Sequence, residues 1–249
     1  MQSFKQHTPN TQAIKAALAK TTQIDVLSLL KESHPLVLGK IPVFVGALLL
    51  VFLGMSVLGM IVLSFFEITD PFAIEQSLQL KLEIFFSFAL APLFTGLLMM
   101  GVRGANNKSL QPLDILAYFP RIFVLGLTSV FLSMWISVGM VLLVVPGIYL
   151  LIATMFVLPL IAEKRMKPLA AVYLSIRVVN NYFSQMALFN LLFLGGLFLG
   201  IATFGILLIY ILPMYYILKG KIYIALFGMS DKDDIDTLEE RKDDATFAA

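Results

Sequence analysis

Of 249 residues, 59% are hydrophobic and only 14% are charged, with a formal net charge of +2 and a mean hydropathy of +0.90. Soluble domains carry about a quarter charged residues, so this composition excludes an ordinary soluble globular protein and places the chain in a bilayer. With no Cys there are no disulfides and no thiolate chemistry, and the two His residues, both ahead of the first long apolar run, leave no basis for a His-rich metal centre.

Residues 1–40 read as a cytoplasmic N-terminal segment. Asn10 or Thr11 is placed to cap a short helix through Lys20, and a second helical piece covers Asp25 to Ser33. Asp25 and Ser28 interrupt the apolar stripe, so both pieces are expected to lie at the membrane interface. The first apolar run starts late, is long, and has no small-residue cleavage pattern after it, which does not fit a secretory signal.

Residues 41–228 then read as six spans, each near the length needed to cross a hydrocarbon core. They are Pro42–Phe66, Glu83–Val102, Arg121–Val145, Gly147–Ala162, and two spans dividing the run Gln185–Phe227 at a turn from Thr203 to Gly205. Pro146-Gly147 reads as a tight reversal between the third and fourth. Pro92, Pro159 and Pro213 fall inside spans, where proline removes a backbone donor and kinks a helix. These three, with Pro146 and Gly147, are the candidate hinges. The expected fold is an all-α polytopic membrane helical bundle, six spans arranged as three kinked hairpins with interfacial helices.

A repeat underlies that arrangement. Pro35-Leu36, Pro112-Leu113 and Pro168-Leu169 each precede an apolar hairpin, and each return helix carries an apolar-Pro-apolar step at Pro92, Pro159 and Pro213. Charge supplies the orientation. Of the 18 Lys and Arg residues, Lys81 alone falls in the turns that would share one side, so both termini are expected to face the cytoplasm. Residues 229–249 form an acidic tail, expected to be disordered, in which the acids from Asp231 to Asp244 outnumber Lys232, Arg241 and Lys242.

No catalytic constellation is visible: no phosphate-binding Gly loop, no Ser-His-Asp set, no metal-ligating pair on a helix. The chain therefore reads as not an enzyme, with no cofactor and no nucleic-acid partner. Arg103, Arg121, Lys164, Arg165, Lys167 and Arg177 gather near one interface and are the candidate contacts to anionic lipid; a purely orienting role is the alternative. On the helix opened by Pro168, the residues Leu169, Val172, Tyr173, Ile176, Val179 and Phe183 fall on one side, with Leu174 and Val178 opposite. Ser129, Ser133 and Ser137 share one face of the third span, where they line an interior or let helices approach. Gly196 and Gly200 form a GxxxG step for close helix packing, within the chain or between chains.

The run VVPGIYLLIATMFVLPLIAEKRMKPLAAVYLSIRVV resembles a large group of uncharacterised bacterial integral membrane proteins, through Pro146, Gly147, Ile148, Pro159, Ala170, Ser175 and Arg177. The stretch LAPLFTGLLMMGVRGANNKSLQPLDILAYF is similar to the same group, and the likeness covers about residues 85 to 228. It extends distantly to the membrane domain of glycerophosphodiester phosphodiesterases. No soluble phosphodiesterase domain accompanies it here, so that activity is not implied. Ile176 stands where the group carries an aromatic. The resemblance implies a multi-pass protein of the bacterial inner (cytoplasmic) membrane.

Two functions fit these features. One is a non-enzymatic membrane protein that organises or passes lipids or small solutes, with a homo-oligomer as its form. The other is a membrane-embedded accessory subunit that docks a membrane partner protein through its acidic tail.

Overall fold

The structure, a computed structural model, describes residues 9–66 and 76–229. The expected disordered tail, apart from Met229, and the acids Glu67, Asp70 and Glu75 of the first turn lie outside the described residues. Every element in the described residues is helical. In order they are α1 (Pro9–Leu18), α2 (Val26–Leu38), α3 (Ile41–Phe65), α4 (Gln76–Ala105), a 3-10 segment (Pro112–Arg121), α5 (Ile122–Leu142), α6 (Val144–Ala153), α7 (Val157–Lys164), α8 (Pro168–Asn181), α9 (Phe183–Ala202) and α10 (Leu208–Phe227).

Among the described residues, six helical stretches are long and apolar enough to cross a membrane: Ile41–Phe65, Leu78–Ala105, Pro112–Leu142, Val144–Lys164, Phe183–Ala202 and Leu208–Phe227. The chain is a multi-pass membrane protein. Its span boundaries differ from the sequence reading where polar residues are satisfied inside a helix. Glu83, read as a span end, lies within α4 because its carboxylate accepts a hydrogen bond from Ser137 Oγ at 3.0 Å on α5. Asp25 caps α2 by accepting from the Leu27 amide at 3.1 Å, as capping chemistry favours. That helix then runs past Ser33 and takes Pro35 into its last turns. Pro35 therefore does not open an element, whereas Pro112 and Pro168 sit in the first turn of theirs.

The proposed hinges behave in three ways. The reversal between the third and fourth spans falls at Leu143, in extended backbone (φ −157°, ψ 129°), and not at Pro146-Gly147. Pro146 and Gly147 lie in the first turn of α6, where a proline's missing N–H has no intrahelical acceptor and costs nothing. Gly147 is needed for another reason. A Cβ there would stand 2.5 Å from Met140 Cγ, and one at Gly139 would stand 3.1 Å from the Gly147 Cα, so α6 folds back on α5 almost backbone to backbone. Pro159 lies in the first turn of α7, and the fourth span is interrupted just before it, at residues 154–156. Pro92 and Pro213 lie within continuous helices.

α4 and α10 form the centre. At their crossing a Cβ on Gly101 would meet the Tyr216 carbonyl oxygen at 2.1 Å, and one on Gly220 would meet the Gly101 carbonyl oxygen at 2.4 Å. Only two bare Cα positions allow that approach. Around it, one apolar cluster gathers Phe156, Leu160, Met186, Tyr223 and Phe227, and a second gathers Phe44, Leu97, Met100, Ile115 and Ile217. The legs of the first hairpin meet where Leu93 Cδ1 stands 3.4 Å from the place of a Gly54 Cβ. α3 packs also on the 3-10 segment and on α10, with Pro112 Cγ 3.0 Å from where a Gly46 Cβ would be and Phe44 stacked on Tyr216 at 6.2 Å. The last hairpin closes on itself. Gly196 meets Ile211 and Gly200 meets Leu208, so the GxxxG contact is made within the chain. The turn at residues 203–207 includes Gly205 at φ +87°, with Thr203 Oγ1 accepting from the Leu207 amide at 3.2 Å.

Replacing Gly220 by Leu is expected to destabilise the protein by about 3 kcal/mol, the upper end for overpacking, because backbone and not a flexible side chain blocks the space. Gly195, with open space around its Cα, should accept Leu with little change. Thermal unfolding of the two variants in detergent compares them directly; equal stability would refute the assigned crossing.

Candidate functional site

Helices α4, α5, α6, α7 and α10 border an open-sided cavity of about 350 Å³. Its walls are largely apolar, with Phe94 and Leu98 from α4, Leu132 and Ile136 from α5, and Leu151 and Leu158 from α6 and α7. Set into them are Ser129, Ser133, Thr154, Tyr215, Tyr216 and Lys219. A mostly apolar pocket with a few convergent polar groups is the usual form of a small-molecule site.

Lys219 is the charged residue of this lining. It lies in the interior of α10, only 9% exposed, and its Nζ donates to Tyr215 Oη at 3.2 Å while standing 5.3 Å from the centre of that ring. Lys219 and Lys221 stand two positions apart in α10 and differ in their partners. Lys221, itself half-buried, pairs with Glu32 of α2 at 3.4 Å, whereas Lys219 turns to Tyr215 and the cavity. The apolar run Ile222–Phe227 after Lys221 lets the helix continue and carries Lys219 inside it.

The serine face of α5 serves both readings made from sequence. Ser137 donates to Glu83, and Ser87 of α4 donates to Ser133 Oγ at 3.1 Å, so two of the three hydroxyls fasten α5 to α4. Ser129, next along the face, opens into the cavity together with Ser133. A polar seam thus runs from Glu83 along the α4–α5 contact into the chamber that holds Lys219.

Tyr215 borders a second space as well. A slot of about 380 Å³ between α2, α9 and α10 is lined by Leu30, Phe189, Phe193, Met214 and Leu218, with Lys31 and His34 beside it. The Tyr215 ring stacks on Phe193 at 3.9 Å and on Phe189 at 5.2 Å, so this one ring stands in the wall of both spaces. His34 Nδ1 and Tyr210 Oη share a hydrogen bond of 2.6 Å across the α2–α10 contact.

The six basic residues expected to meet lipid divide into two sets. Arg103 pairs with Asp114 at 3.5 Å, and Arg121 donates to the Ala162 carbonyl at 2.6 Å. Lys164 pairs with the fully buried Glu163 carboxylate at 3.4 Å and donates to the Gly228 carbonyl at 3.1 Å, while Tyr223 donates to the same Glu163 oxygen. These three cations bind helix ends together. Arg165, Lys167 and Arg177 are exposed, and beside them α8 presents Leu169 and Tyr173. Lys40, outside the spans, donates to the Gly104 carbonyl at 2.6 Å, and its burial pushes the ammonium below its ordinary range.

The buried face of α8 is rotated from the stripe read in the sequence. Ala171, Val172, Ser175, Val178 and Val179 are buried, so Val178 faces inward while Leu169 and Tyr173 face out. The rotation follows from what α8 wedges between. Ser175 donates to the Ala153 carbonyl at 2.8 Å at the end of α6, and Asn181 donates to the Ala17 and Leu18 carbonyls of α1.

Comparison with known protein families, curated proteins and solved structures finds no match to this chain. The site is therefore read from its own geometry. Lys164→Met is expected to cost about 3 kcal/mol, because it leaves the Glu163 carboxylate buried without its cation. Adding Glu163→Gln should return part of that loss, since the amide still accepts from Tyr223. Chemical unfolding of the single and double variants measures the coupling, and additive losses would rule out a coupled pair.

Proposed function

We propose that this chain is a non-enzymatic protein of the bacterial inner membrane that holds, and passes between its helices, a small amphipathic solute or lipid. One observation carries the reading: the chamber between α4, α5, α6, α7 and α10, apolar on most sides, with hydroxyls and the Lys219 ammonium set into it. A chamber bounded by spans is reached by molecules that partition into the bilayer. Its polar groups provide the few fixed contacts that orient such a guest.

The exposed set Arg165, Lys167 and Arg177 supports the same reading. Each cation near an anionic leaflet contributes about 1 kcal/mol of attraction, and Leu169 and Tyr173 on the same helix supply the apolar insertion that accompanies it. The concentration of Lys and Arg on one side of the six spans supports an orientation with both termini cytoplasmic.

Native mass spectrometry of the protein taken from membranes in mild detergent tests the chamber. The unmodified protein should retain a small amphiphile, and Ser129→Phe, which fills the space, should release it without unfolding the bundle. A protein that retains nothing, or retains the same adduct after the substitution, is incompatible with the proposal. Orientation is checked independently, since the chain has no Cys to interfere. With Ser109→Cys and Ile206→Cys variants, an impermeant maleimide added to whole spheroplasts should label position 206 alone.

A further inference from the structure

Among the described residues, Lys219 is buried without a carboxylate partner. Its Nζ has one protein partner among the described residues, the neutral Tyr215 hydroxyl, and no Asp or Glu oxygen stands within 4.0 Å of it. An ammonium carries three donors, so two have no acceptor among the described residues. A lysine that only snorkelled would place its nitrogen in open solvent, but this side chain is nine-tenths buried and lines the chamber. An ionisable group held inside a membrane bundle is costly unless something compensates it. The other buried cation at this end of the molecule shows what compensation looks like here, with Lys164 given both Glu163 and the Gly228 carbonyl.

Ser129 completes the arrangement. It lines the same chamber from α5, and its hydroxyl makes no hydrogen bond to the described residues, unlike Ser133, Ser137 and Thr154 on the neighbouring turns. The remaining walls, from Phe94 and Leu98 to Leu151 and Leu158, offer nothing to a second charge. Hence the chamber presents the Lys219 ammonium, the Ser129 hydroxyl and an apolar bed.

We infer that the chamber binds an amphipathic monoanion, an oxyanion on an apolar body such as a medium-chain carboxylate or a singly charged lipid phosphate. The oxyanion accepts from Lys219 Nζ and from Ser129 Oγ, and the apolar body lies against Phe94, Leu98 and Leu158. This rests on the reading of the chamber as a site for amphiphiles and adds the sign and number of the guest's charges. Lys219 is the residue that selects the anion. A dianion is disfavoured because no second cation lines the space, and an organic cation would face Lys219 directly.

The test uses the full chain in phosphatidylcholine nanodiscs, with octanoate, octanol and octylammonium titrated by calorimetry. Octanoate should bind at least about tenfold more tightly than octanol, as expected for a hydrogen bond to a charged group, and octylammonium should not bind. Lys219→Met should abolish the preference for octanoate, Lys219→Arg should keep it, and Arg165→Gln with Arg177→Gln should keep it too. Equal affinity for octanol and octanoate in the unmodified protein overturns the proposal even if Lys219→Met fails to fold. So does a preference that survives Lys219→Met or disappears with the exterior arginines. Replacing part of the phosphatidylcholine by phosphatidylglycerol separates the two sources of anion. Weakened octanoate binding assigns the site to a lipid phosphate and unchanged binding assigns it to a free acid, and each supports a monoanion site. If octanol binds as well as octanoate, the chamber still holds amphiphiles and only the charge assignment fails; absence of any retained adduct in the mass spectrum would remove the underlying reading instead.

Discussion

The contact between Gly101 and Gly220 is the constraint on which the rest depends. Within a bilayer, lipid tails are as apolar as the side chains, so burial alone gives helices little reason to prefer each other. Close backbone approach supplies dispersion contacts that lipid cannot match, and here it brings α10 against the Gly101 carbonyl and α4 against the Tyr216 carbonyl. With α4 and α10 joined at that level, the residues near the crossing have fixed neighbours. Lys219 immediately precedes Gly220, and Leu98 lies one turn from Gly101, which is how an ammonium on one helix and an apolar wall on the other come to face the same chamber.

The outer helices follow from this centre by different means. α5 is held by polar bonds, Ser137 to Glu83 and Ser87 to Ser133, where it runs along α4. α6 is folded onto α5 through Gly139 and Gly147. α8 is held by hydrogen bonds to helix ends, one from Ser175 and two from Asn181, and by its buried valines. α3 and α9 have little of their surface inside the protein and present mainly apolar side chains outward, as helices at the margin of a membrane bundle do.

Charge does two jobs that composition alone does not separate. Arg103, Arg121 and Lys164 end on acceptors of other elements and act as ties between helix ends. Arg165, Lys167 and Arg177 remain at the surface, where headgroups can reach them. Lys219 belongs to neither set. All of these residues read alike as basic positions near the ends of apolar runs, because charge asymmetry reports which side a loop occupies and is indifferent to the partner at the end of each side chain.

The amino-acid sequence by itself determined the class of the molecule: an all-helical membrane protein with six apolar runs, a turn near residue 204, and a helix starting near Asp25. Those properties are local, since the transfer of a 20-residue run into hydrocarbon and the satisfaction of a helix's first amides depend only on adjacent residues. What only the tertiary structure decided was which glycines touch, which way Lys219 points, and where the third and fourth spans part. Gly196 and Gly200 formed the recognisable motif, yet the closest crossing uses Gly101 and Gly220, two isolated glycines far apart in the chain. No spacing rule joins residues on helices separated by more than a hundred positions. Likewise, the break at Leu143 and the burial of Lys219 were settled by the backbones and hydroxyls that pack around them, which a single segment read alone does not contain.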